Sequence, residues 1–144
     1  LGSGNRPLED FCSELALRRK NFLFLCGYSE KLADILYAAG DLFLMPSTFE
    51  PCGISQMLAM RTGQPCVVHA VGGLRDTVED TVNGFVFSGD TPILQADNFV
   101  AAVSRALQLK VADPSAWKAL REQSAGRRFS WATAAERYEK ELYV

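Results

Sequence analysis

Apolar residues follow two alternating rhythms along the 144-residue chain. Four short runs, Phe22 to Cys26, Leu42 to Met45, Pro65 to His69 and Gly84 to Phe87, are continuously apolar and β-prone. Strands covered on both faces read this way. Between the runs, apolar residues recur at i, i+3, i+4, i+7, first as Leu8, Phe11, Cys12 and Leu15, then as Leu32, Ile35, Leu36 and Ala39. That is the spacing of a helix with one buried face. A further helix is expected over Ile54 to Arg61, and Gly40 and Gly63 stand where helices would end in a left-handed cap. Strands alternating with helices predict a parallel sheet, so the fold class is α/β, doubly wound.

From residue 97 the pattern is helical throughout. Asp97 to Lys110, Pro114 to Gly126 and Trp131 to Leu142 read as three helices. Their stripes run through Phe99, Val103, Ala106 and Leu107, and through Trp131, Ala134, Ala135, Tyr138 and Leu142. Asp113-Pro114-Ser115 is a helix start, with proline in the first turn. Trp117, Phe129 and Trp131 lie on stripes and read as core. Residues 1–144 therefore read as one domain whose tail, 97–144, is helical. Leu1-Gly2-Ser3-Gly4 resembles a strand's last residue and the turn after it, so a fragment lacking its first strand is expected. No internal repeat interrupts the pattern.

Composition narrows the functional classes. The formal charge of −2 gives no basis for a nucleic-acid or anionic-membrane partner. No apolar run approaches the roughly 20 residues of a membrane span, and the first residues lack a signal-peptide pattern. Cys12, Cys26, Cys52 and Cys66 are scattered without CxxC spacing, and His69 is the single histidine. Clustered zinc ligands are absent from the pattern, so no metal is expected, and reduced thiols in a cytoplasmic setting are. His69 reads either as a hydrogen-bonded core histidine or as a catalytic group.

The chemistry concentrates in turns that follow strands. In Pro46-Ser-Thr-Phe-Glu50-Pro-Cys52-Gly53-Ile54-Ser-Gln56, a carboxylate, a thiol and a glycine lie between a strand and a helix. Ligands of open α/β sheets bind at this edge. Gly53 would let a ligand approach the backbone, and free N–H groups there attract phosphate. Glu50 would repel phosphate and so suits an uncharged, hydroxyl-rich part of the ligand. A nucleotide-sugar meets both requirements. Gly27-Tyr28-Ser29-Glu30 lies at a second such turn, where Ser29 is a good N-cap. Tyr28 either stacks on a base or simply covers the helix end. Gly72 and Gly73, after the third run, read as a backbone nest or as a tight connection. Gly2-x-Gly4-x-x-Pro7 fails as a dinucleotide fingerprint, since no strand precedes it and proline replaces the third glycine.

Asp41 to Gln56 resembles the most characteristic stretch of bacterial glycogen synthases and plant starch synthases, glycosyltransferase family 5. Val67 to Val78 is similar to the following family stretch, and Gly27-Tyr28-x-Glu30 and Phe129-Ser130-Trp131 resemble two more. The resemblance implies a Rossmann-like domain forming the C-terminal, donor-binding half of a GT-B transferase. It implies retaining transfer of glucose from ADP-glucose to the non-reducing end of an α-1,4-glucan without a metal or other cofactor. By that likeness Glu50 is the catalytic carboxylate that engages the glucose. Tyr28 stacks on adenine, Gly27 beside it binds the donor, the backbone around Cys52, Gly53 and Ile54 meets the diphosphate or nearby sugar, and Gly72 and Gly73 line the donor cleft. The α-glucan would contact mainly a missing N-terminal domain, so the chain alone is expected to be inactive. Thr48 stands where many family members carry arginine, and the basic residues that neutralise the departing diphosphate are absent. Two alternatives remain: an isolated nucleotide-binding module, and a family 4 transferase using a UDP- or GDP-sugar. A flavodoxin-like signalling domain would need an acidic cluster that the strand ends lack.

Overall fold

The computed structural model describes residues 1–143, which divide into two compact units, Leu1–Leu36 and a second that begins at Tyr37. In the first unit, α1 (Arg6–Arg18) begins as its sequence directs. Pro7 occupies the first turn, and the Glu9 carboxylate accepts the Gly4 N–H at 2.7 Å. Ser29 caps α2 (Glu30–Ala39), its hydroxyl accepting the Leu32 N–H at 3.3 Å. The expected strand Phe22 to Cys26 does not form. This run makes only a single parallel bridge, Cys26 to Gly2. A strand exists only as far as its partner does, and here the partner is one residue long.

The second unit holds a parallel sheet in the order β1 (Phe43–Met45), β2 (Cys66–His69), β3 (Gly84–Phe87). Phe43 lies opposite Cys66, and Cys66 opposite Gly84. Strand β2 is buried throughout, as a central parallel strand should be. Its residues alternate between two cores. Val67 faces Phe85, Phe87, Ala102, Ala106, Trp117 and Leu120, whereas Cys66 and Val68 face Ala59, Met60, Leu74 and Val78. The first core is covered by α5 (Pro92–Ala112) and α6 (Pro114–Gly126), the second by α3 (Ser55–Arg61) and α4 (Gly72–Thr77). The α/β, doubly wound class is therefore borne out. Burial pushes the Cys66 thiol up to about 12, which makes it an inert core residue.

The helical tail matches the expected ends at α6 and at α7 (Trp131–Leu142). Asp113 and Ser130 cap them, accepting the N–H groups of Ala116 at 2.9 Å and Thr133 at 3.2 Å. Helix α5 starts five residues before Asp97, because Thr91 is an N-cap with Pro92 behind it. The apolar stripe misses that start because Ile93 and Leu94 are exposed. Leu107 is also exposed, and Trp131, expected in the core, is 90% exposed, as no residue of α7 is buried. Gly63 takes a left-handed φ of 74° after α3, but Gly40 does not adopt a positive φ.

Asp80 receives both the Arg105 guanidinium, at 3.1 Å on each oxygen, and the Val86 N–H at 2.7 Å. Partial burial pushes its carboxyl up, but the hydrogen bonds and charge of these partners outweigh that and hold it below the usual value. The stabilisation is therefore present above the unfolded pKa of about 3.9 and is lost as pH falls through the lower folded value. Because the pair is partly exposed, Arg105→Ala should cost about 1 kcal/mol or less at pH 7. The gap between wild type and variant, followed by denaturant titration, should close below about pH 4.

Candidate functional site

The carboxyl ends of β1 and β2 are adjacent because the strands pair directly. Their loops meet at the expected site. Gly72 and Gly73 lie against the backbone of Glu50, Pro51 and Cys52, and Gly73 donates its N–H to the Glu50 carbonyl at 3.2 Å. A Cβ at Gly72 would stand under 3.0 Å from the Glu50 carbonyl, and one at Gly73 under 3.0 Å from that of Cys52. Gly72 also has φ of 43°. Only glycine suits these two positions. Since the Gly73 N–H is already engaged by Glu50, the pair holds the neighbouring turn in place.

The structure thus brings together Glu50, Cys52, Gly53, Ile54, Gly72 and Gly73. Glu50 is half-buried, and among the described residues its carboxylate has no hydrogen-bond or ion-pair partner. Cys52 is exposed, its thiol 3.8 Å from the Gly53 carbonyl. Gly53 is buried with φ of 74°, and Ile54 is 67% exposed. No acceptor among the described residues takes the N–H of Gly53 or Ile54. Gly27 and Tyr28 belong to the first unit. There Gly27 donates to the Gly2 carbonyl at 3.1 Å, and Tyr28, 83% exposed, has its hydroxyl 3.5 Å from Glu30 Oε1.

Two further residues shape the turn. His69 is buried and its ring stacks on Phe87 at 5.0 Å. Its Nδ1 lies 3.0 Å from the Ser47 carbonyl, which can only accept, so Nδ1 carries the proton. The hydrogen-bonded core reading of His69 is the one the structure supports. Gln56 was not expected among the site residues. It is fully buried, and its Nε2 donates to the carbonyls of Cys52 at 3.1 Å and Gly53 at 2.8 Å, and to Thr77 Oγ1 at 3.4 Å. Thr77 in turn donates to the Gly73 carbonyl at 2.7 Å, so one network ties both loops. Among the described residues no donor meets Gln56 Oε1. One signal was available: Gln56, Ala59 and Met60 are i, i+3, i+4 on the buried face of α3.

The arrangement places an unpaired carboxylate within four residues of two unpaired N–H groups. It can therefore hold a ligand with an anionic part and a hydroxyl-bearing part. Among the described residues no three His, Cys, Asp or Glu side chains assemble as metal ligands, and no helix is long and apolar enough to cross a membrane.

The family model "Glycosyl transferases group 1" matches residues 1–109. A glycogen synthase of Streptococcus sanguinis (strain SK36) is 49% identical over 117 residues, 78% of this chain and 24% of that protein. The glycogen synthase of Thioalkalivibrio sulfidiphilus is 42% identical over 96% of this chain and 30% of its own length. The catalytic domain of starch synthase IV from Arabidopsis thaliana, solved bound to ADP and acarbose, superposes with a TM-score of 0.82 at 35% identity, covering 97% of this chain and 30% of that one. A sucrose-phosphate synthase from Thermosynechococcus elongatus gives 0.70 at 27% identity, over 96% of this chain and 33% of that one. The chain spans about a quarter to a third of the length of these relatives.

Gly73→Ala should displace Cys52 and the Glu50 carbonyl, lowering stability by about 1–3 kcal/mol. Gly4→Ala, where a Cβ meets nothing within 4 Å, serves as the control and should unfold within about 0.5 kcal/mol of wild type in urea.

Proposed function

This chain belongs to the glycosyl transferases of group 1, and we propose that it is the donor-binding part of a retaining glycogen or starch synthase. The single observation that carries the reading is the turn at the end of β1. There, among the described residues, neither the Glu50 carboxylate nor the N–H groups of Gly53 and Ile54, three and four residues further on, have a partner. ADP-glucose supplies a complementary partner, with an anionic diphosphate for the N–H groups and sugar hydroxyls for Glu50. The ADP bound to the Arabidopsis starch synthase supports adenine as the base. We assign Tyr28 to the adenine, Gly27 to donor binding, Cys52, Gly53 and Ile54 to the diphosphate or sugar, and Gly72 and Gly73 to the wall of the donor cleft.

In this reading the diphosphate leaves glucose on the same face on which the acceptor hydroxyl of an α-1,4-glucan arrives, so configuration is retained. Positive charge develops on the sugar ring and negative charge on the departing diphosphate. Glu50 orients the glucose hydroxyls and stabilises the positive centre, while the N–H groups of Gly53 and Ile54 offset the growing negative charge. Such donors act strongly because they are already aimed when charge develops. The chemistry calls for no metal or other cofactor. The glucan acceptor is assigned to the part of the relatives' length that this chain does not span, and the setting proposed is the cytoplasm.

Glu50→Ala in the complete transferase should lower kcat by several orders of magnitude, measured as glucosyl transfer from ADP-glucose, while ADP binding by calorimetry persists. Turnover near wild type would overturn the role of Glu50. Faster transfer from UDP- or GDP-glucose than from ADP-glucose would overturn the donor.

A further inference from the structure

We propose that Gln56 is a positioning residue whose buried amide turns the Cys52–Gly53 and Gly53–Ile54 peptides so that both of their N–H groups point away from the core. This rests on the reading above, in which those N–H groups meet the donor. The argument is geometric. Gln56 Nε2 holds the Cys52 carbonyl at 3.1 Å and the Gly53 carbonyl at 2.8 Å. In a trans peptide the C=O and the following N–H point in opposite directions. No peptide bond among the described residues is cis. Drawing two successive carbonyls onto Nε2 therefore turns the N–H groups of Gly53 and Ile54 away from that amide, and no described residue takes them.

Two successive carbonyls can converge on one nitrogen only where the chain bends sharply between them. The φ of 74° at Gly53 supplies that bend. Thr77 fixes the amide from the other side, accepting from Nε2 at 3.4 Å while donating to Gly73. The glutamine is held for its donors and not for its bulk. Its own Oε1 is buried and no described residue donates to it, a state that an apolar side chain of similar size would avoid.

Gln56→Met keeps the length of the side chain, removes the donors and removes the unpartnered oxygen. Its thermal midpoint should fall by only a few degrees, yet the Gly53 and Ile54 amide resonances should shift and exchange at least tenfold faster. The Kd for ADP, measured by calorimetry, should rise at least tenfold. Unchanged amide signals together with an ADP affinity within threefold of wild type would overturn the proposal. If wild type bound no ADP, the donor reading would fail while the amide signals still decided the role of Gln56. If Gln56→Met did not fold, the wild-type side-chain amide would decide instead. Its hydrogens should exchange far more slowly than those of the exposed Gln108, and equal rates would overturn the proposal.

Discussion

The backbone of Glu50 to Cys52 crosses Gly72 and Gly73 at a distance that leaves no room for a side chain, and much else follows from this crossing. Adjacent parallel strands lie roughly 4.8 Å apart, so the loops leaving their carboxyl ends necessarily meet. How closely they meet depends on the atoms at the crossing. Two glycines let peptide touch peptide, and the Gly73 N–H then satisfies the Glu50 carbonyl. The turn that carries the carboxylate is in this way fastened to the end of the next strand. His69 fastens it again through Ser47, and Gln56 a third time from inside α3.

The fastening has an electrostatic result. Carbonyls of the turn are used up internally, by Gly73 at one point and Gln56 at two others, while N–H groups are left over. Among the described residues, the N–H groups of Gly53 and Ile54 and the Glu50 carboxylate of this turn are left without partners. A nucleotide-sugar has the matching order of groups, with diphosphate beside hydroxyl-rich glucose. In the same arrangement no described residue donates to the Gln56 side-chain oxygen.

Most of the fold was legible in the chain. The runs at Leu42, Pro65 and Gly84 became strands, and the capping residues Ser29 and Asp113 both accept N–H bonds at helix starts. These signals are local, since a cap and its target are three residues apart. The misreadings share a different character. Phe22 to Cys26 has a strand's composition but finds one residue of partner, and Trp131 has a core residue's position on its stripe but stands in the open. Thr91-Pro92 is a local start signal that lies ahead of the apolar stripe of its helix.

By itself the sequence determined the α/β alternation, the helix starts and the place of Glu50, Cys52, Gly53 and Ile54 after a strand. Periodicity and capping act over a few residues, and these features need nothing more. Only the tertiary structure decided what lies against each of them. It put Gly72 and Gly73 beneath the Glu50 turn, gave His69 to Ser47 and aimed the Gln56 amide at two carbonyls. Those are contacts between parts of the chain that pack together only once the sheet has formed, or orientations set by that packing. A pattern states which face of an element is apolar, whereas distance and direction at the site come from the neighbours that the fold supplies.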